Sequence, residues 1–163
     1  MVEKQNIELK LIHMEDVVSK EVEWLWYPYI PYGKITIIEG DPGEGKTTLV
    51  LKLAAALSRG LPLPCDDDKE YEPIHIIYQT AEDGLGDTIK PRLLVAGADC
   101  SKVLVIDDSD QPLTMADVRL EEAIVQTKAK MVVLDPIQGF LGADVDMHRA
   151  NEIRPLMKRI AVL

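Results

Sequence analysis

The run Gly40-Asp41-Pro42-Gly43-Glu44-Gly45-Lys46-Thr47 fits the pattern G-x-x-x-x-G-K-[ST]. Its chemistry is the binding of a polyphosphate. Glycines at these spacings let successive backbone N–H groups turn inward around the phosphates, and a helix N-terminus beyond them adds partial positive charge. The Lys46 ammonium is placed to reach the β- and γ-phosphates, and the Thr47 hydroxyl to ligate Mg²⁺. The candidate binding set is Asp41, Pro42, Gly43, Glu44, Gly45, Lys46, Thr47 and Thr48. A glycine-rich turn could match by accident. The β-branched run Ile35-Thr36-Ile37-Ile38 before the loop and the helix-forming stretch Leu49 to Leu57 after it argue against that.

A second signal is Met131-Val132-Val133-Leu134-Asp135, four apolar residues closed by an aspartate. A carboxylate at such a strand end can face the phosphate loop and hold Mg²⁺ through water, so Asp135 and Thr47 form the candidate metal pair. The same pattern also arises when Asp merely opens a turn. The third signal is Gln79-Thr80-Ala81-Glu82-Asp83. Hydrolysis of a γ-phosphate needs a group to orient or deprotonate water. Pro136 follows Asp135 directly, so another acid must serve, and Glu82 is the candidate. The plainer reading is an acidic pair at a helix N-terminus. Asp83 is read as that N-cap or as support for Glu82. Lys46, Glu82 and Asp135 together are the candidate catalytic set.

These residues need a scaffold that gathers strand ends. Strands are expected at Ile35–Ile38, Ile74–Gln79, Val103–Ile106 and Met131–Leu134. Helices are expected over 48–58, 87–96, 113–127 and 148–163. In the third helix Met115, Val118, Ala123 and Ile124 are the expected inward positions. Alternation of this kind predicts an α/β fold with a mostly parallel sheet covered by helices on both faces. Ligands bind such sheets at the carboxyl ends of the strands, which is where the three signals lie. Residues 1–33 read as an N-terminal arm and 34–163 as the nucleotide-binding domain. In the arm, Trp24 to Tyr32 is rich in aromatics between prolines. Packing onto the domain is the simpler role, and a stacking platform for adenine or DNA the sharper one. His75 reads as a packed strand residue, and Asp66-Asp67-Asp68 as a solvated acidic loop.

A formal charge of −10 gives the surface no general attraction for nucleic acid or anionic membranes. Two well-separated cysteines, Cys65 and Cys100, fit reduced thiols in a cytoplasmic protein. No apolar run approaches the length of a membrane span.

The chain resembles the RecA-like ATPases, in the group that includes plasmid-type hexameric replicative helicases. The resemblance rests on Trp24-Leu25-Trp26, Gly33-Lys34, the loop 40–47, Ala81-Glu82-Asp83, Arg92-Leu93, Gly97-Ala98-Asp99 and Leu134-Asp135-Pro136, followed by Asp144, Asn151 and Arg154. It implies an ATPase using ATP and Mg²⁺, with Glu82 as the base. It further implies a homo-oligomeric ring and single-stranded DNA as a partner of the complete protein. By the family pattern a further strand belongs between those carrying the loop and Asp135, so the chain reads as a RecA-like core lacking its C-terminal strands. Two other functions remain in view, a small-molecule P-loop kinase and a nucleotide-binding regulatory module without efficient turnover. The kinase would need an Arg-rich lid that the sequence lacks. GTP is disfavoured because no Asn-Lys-x-Asp is present to read guanine.

Overall fold

The computed structural model describes residues 9–66, 69–143, 145 and 149–161. Asp67, Asp68, Asp144 and His148 lie outside them, so the acidic run and the start of the last helix are described only in part.

The chain opens with a small antiparallel hairpin, β1 (Trp24–Trp26) and β2 (Ile30–Pro31). Leu25 and Trp26 are buried, and the Trp26 indole Nε1 donates to the Pro64 carbonyl at 2.9 Å. An indole N–H taken out of water needs such an acceptor.

After the phosphate loop, α1 spans Lys46–Arg59. It starts at Gly45 and ends at Gly60, both left-handed, with φ of 86° and 69°. At the C-terminal end Leu61 N–H reaches Ala56 O at 3.0 Å and Gly60 N–H reaches Leu57 O at 3.3 Å, so the closing carbonyls are satisfied. Val50, Leu51, Leu53, Ala54 and Leu57 are buried against Leu25 and Trp26 from the hairpin and against Ile76 and Tyr78. Each leucine so enclosed is worth about 1.5–3 kcal/mol.

The sheet has three parallel strands, β3 (Ile76–Thr80), β4 (Val103–Leu104) and β5 (Met131–Asp135), in the order β4-β3-β5. The β3–β5 register pairs Ile76 with Met131 and Thr80 with Asp135. β4 has only two residues, and the buried Gln79 side chain continues the connection beyond it. Its Nε2 donates to Ile106 O at 3.2 Å, and its Oε1 accepts from Ile106 N–H at 2.6 Å. The amide thus satisfies both backbone groups that a longer strand would have paired.

Between β3 and β4 lies a π-helical turn, Leu85–Ile89, running into α2 (Lys90–Val95). Pro91 has no N–H to complete a regular ladder at that junction. α3 (Val118–Thr127) precedes β5, and α4 (Ala150–Ile160) follows a 3₁₀ turn at Ile137–Phe140. Ile153, Leu156, Met157 and Ile160 place one stripe of α4 on a second core of Leu113, Met115, Phe140 and Leu141. The two cores lie on opposite faces of the sheet. Alternation along β5 sends Met131 and Val133 to the α1 side and Leu134 to the other. The α/β architecture with helices flanking a parallel sheet is as expected.

Four local expectations are corrected. Ile35–Ile38 forms no strand: Ile35, Ile37 and Ile38 are exposed and pair with nothing in the sheet. β propensity cannot make a strand without a neighbour to take its backbone hydrogen bonds, and none of the described strands pairs with this segment. The third helix begins at Val118 rather than Leu113, because the Asp117 side chain accepts from Arg119 N–H and sets the start there. Within it Val118 is 54% exposed, and Leu120 takes the buried position. The second helix opens as a π turn at Leu85, two residues before the expected start.

Candidate functional site

Loop 40–45 is held open by its own backbone and by two side chains. Gly43 and Gly45 both have φ of 86°, a region L side chains rarely adopt. The Glu44 carboxylate accepts from Asp41 N–H at 3.0 Å, while Glu44 N–H reaches Asp41 O at 3.3 Å, closing a small ring. Gly40 lies against it, where an added Cβ would fall 2.6 Å from Glu44 Oε2. The Lys46 Nζ donates to Gly40 O at 2.7 Å and to Asp41 O at 2.8 Å, bracing the loop from within. An ammonium has three donors, so one remains for another acceptor. Asp41, Pro42, Gly43, Glu44, Gly45 and Thr48 are exposed, and Lys46 and Thr47 are half-buried at the helix start.

Thr47 and Asp135 come together. The Thr47 Oγ1 donates to Asp135 Oδ2 at 2.8 Å, across 88 sequence positions. This joins the first turn of α1 to the carboxyl end of β5. The Tyr78 hydroxyl, from β3, donates to the same Oδ2 at 2.8 Å. Tyr78 is fully buried. Burial, and then its hydrogen bond to Asp135, push the phenol well above its ordinary pKa, so it remains a proton donor.

Glu82 lies two residues past the end of β3. The turn that carries it is tied to β5 by Ala81 N–H donating to Asp135 O at 3.1 Å. Glu82 is exposed, and its side chain makes no hydrogen bond or ion pair among the described residues. Asp83 is not the N-cap of the following turn, because Gly84 occupies that position. Its N–H donates to Thr80 Oγ1 at 3.1 Å, and its carboxylate faces Arg92 Nη1 at 3.8 Å. Both partners are substantially exposed, so the pair contributes under about 1 kcal/mol. On the far side of the turn, Gly139 packs directly on Ala81, and a Cβ there would collide with the Ala81 side chain.

His75 makes a structural contact, its Nδ1 lying 2.8 Å from Thr127 O. Of Asp66-Asp67-Asp68, the described Asp66 accepts from the Tyr71 hydroxyl. Among the described residues no cluster of three or more His, Cys, Asp or Glu side chains forms a metal cage. No helix among them is long and apolar enough to cross a membrane.

The sequence reading missed Tyr78. Its signal was present: β-strand alternation puts residues 76, 78 and 80 on one face, but only the register with β5 shows which aspartate that face meets.

A family model described as an AAA domain matches residues 6–163. No curated protein and no solved structure matches the chain.

Proposed function

Starting from a chain that belongs to the AAA-domain family of P-loop, nucleotide-binding ATPases, we propose that it binds MgATP in loop 40–47 and hydrolyses it to ADP and phosphate. The observation that carries this reading is the Thr47–Asp135 hydrogen bond, which brings the loop's hydroxyl and the strand-end carboxylate into one place. The donor set fits the ion. A hydroxyl and a carboxylate are hard oxygen ligands, and Mg²⁺ keeps several waters instead of seeking a protein cage. Bound there, the ion would neutralise charge on the β- and γ-phosphates.

The chain's own groups supply the rest. Inward N–H groups of the loop and the start of α1 hold the phosphates, and the free donor of Lys46 meets developing negative charge. Glu82 orients a water for attack on the γ-phosphorus and takes its proton, while the bond from the γ-phosphorus to the bridging oxygen breaks and ADP leaves. The position of Glu82 in the turn just beyond β3, the strand that pairs with β5, supports this role.

For the complete protein we take a RecA-like motor acting on single-stranded DNA as a homo-oligomeric ring, of the replicative-helicase kind. The exposed apolar Ile35–Ile38 segment and the outer edge of β5, unpaired among the described residues, support a sheet with further strands. Phosphate release from ATP in the presence of Mg²⁺, compared between the native chain and Lys46→Ala, tests the reading. Equal release, or none from either together with no saturable nucleotide binding, overturns it.

A further inference from the structure

Asp135 Oδ2 accepts two hydroxyl protons, one from Thr47 and one from Tyr78, each at 2.8 Å. Its Oδ1 accepts no hydrogen bond among the described residues. The two donors come from different elements, α1 and β3, and approach one oxygen. Tyr78 pairs with Val133 in the sheet register, and Asp135 lies two residues further along the same face. The phenol therefore reaches Asp135 diagonally, a distance that aromatic side chains span. Thr47 alone would leave the carboxylate free to rotate about its terminal torsion, which is broad and shallow. A second donor on Oδ2 from a fully buried ring removes that freedom.

We propose that Tyr78 is a positioning residue for the divalent cation. It fixes the Asp135 carboxylate with Oδ2 committed to Thr47 and Tyr78 and Oδ1 left for the ion or its water. This rests on the nucleotide reading above and adds to it a group that touches neither nucleotide nor metal. Partners one shell out from a metal ligand set its orientation, and their loss typically costs about 10–100-fold in metal affinity.

The test is a titration of a fluorescent adenine nucleotide against the full chain, first in EDTA and then over a Mg²⁺ series, for the native protein and Tyr78→Phe. The proposal expects unchanged affinity in EDTA and a Mg²⁺ requirement raised about 10–100-fold. p-Aminophenylalanine at position 78, which restores a donor on a ring of the same shape, should recover most of the loss. A Mg²⁺ requirement identical to the native one overturns the proposal, as does an equal fall of affinity with and without Mg²⁺, which would mark Tyr78 as a packing residue. The nucleotide reading fails separately, if the native chain shows no saturable binding or if Lys46→Ala binds equally well. Should Tyr78→Phe not fold, NMR of the native protein decides: the buried Tyr78 hydroxyl proton should shift when Mg²⁺ is added to the nucleotide-loaded chain. An unmoved resonance counts against the clamp.

Discussion

The Thr47 hydroxyl donates to the Asp135 carboxylate at 2.8 Å, across 88 positions of sequence. One residue opens a helix and the other closes a strand, and α1 and β5 reach each other through the core that packs Leu51, Leu53 and Leu57 over Tyr78 and Val133. The functional contact is thus built by burial remote from it. Asp135→Asn keeps the shape but replaces an ionic oxygen with an amide. Nucleotide affinity should fall about 10-fold or more in Mg²⁺ and little in EDTA. Parallel titrations in the two buffers measure the difference, and an equal fall in both would make Asp135 structural.

Lys46→Ala removes both the ammonium that would meet the phosphates and the brace on the carbonyls of Gly40 and Asp41. Saturable binding of a fluorescent adenine nucleotide should be largely lost, while the melting temperature changes little because Lys46 is only half-buried. A mutant that binds as tightly as the native chain would remove the loop from the site.

Glu82→Gln should leave nucleotide affinity intact and cut turnover by roughly 10²–10⁴-fold, the usual contribution of a general base. The exposed Glu82 side chain has no hydrogen bond or ion pair among the described residues to lose, so stability should hold. Steady-state phosphate release with a parallel binding curve separates the two effects. Unchanged turnover would move the role elsewhere, with Asp83 next in line.

Gly139→Ala would drive a methyl group into Ala81. Overpacking at such a site costs about 1–3 kcal/mol, and the strain falls on the turn that carries Glu82. Urea unfolding should show the loss, and adding Ala81→Gly should restore most of it, because the two methyl groups compete for one space. Additive losses in the double mutant would refute the close contact.

The Asp117–Arg119 pair gives a pH signature. Asp117 caps α3 by accepting from Arg119 N–H at 2.9 Å, and its carboxylate also meets the Arg119 guanidinium at 2.7 Å. Hydrogen bonds from Arg119, first from the side chain and then from the backbone, hold the Asp117 carboxyl below its ordinary value of 3.8. A depressed folded-state pKa contributes stability that is fully present above 3.8 and lost as pH falls through the lower folded value. Asp117→Ala should cost about 0.5–2 kcal/mol at neutral pH. The gap between mutant and native stability should narrow as acid protonates the native carboxyl. A gap that stays constant down to pH 2 would separate the cap from the charge.

Much of this could be read along the chain. The loop from Gly40 to Thr47 announces itself, because its glycines, lysine and threonine act through local backbone geometry and fixed spacing. The helical stretch that follows the loop, the β-branched core of β3 and the apolar run closed by Asp135 are likewise local facts, carried by propensity and period, although α1 starts at Lys46, two residues before the expected start. Other features belong to the tertiary structure alone. Ile35–Ile38 has the composition of a strand yet lies exposed, since a strand exists only with a partner for its backbone groups. The start of α3 moved to Val118 because one side chain, Asp117, accepts from the otherwise unpaired Arg119 N–H. Asp83 turned toward Arg92 instead of capping, and Gln79 completed the sheet beside β4. The meeting of Tyr78, Thr47 and Asp135 depended on strand register and helix packing. Those are set by burial between residues far apart in sequence, so spacing along the chain could name Thr47 and Asp135 as candidates but could not show the buried phenol that joins them.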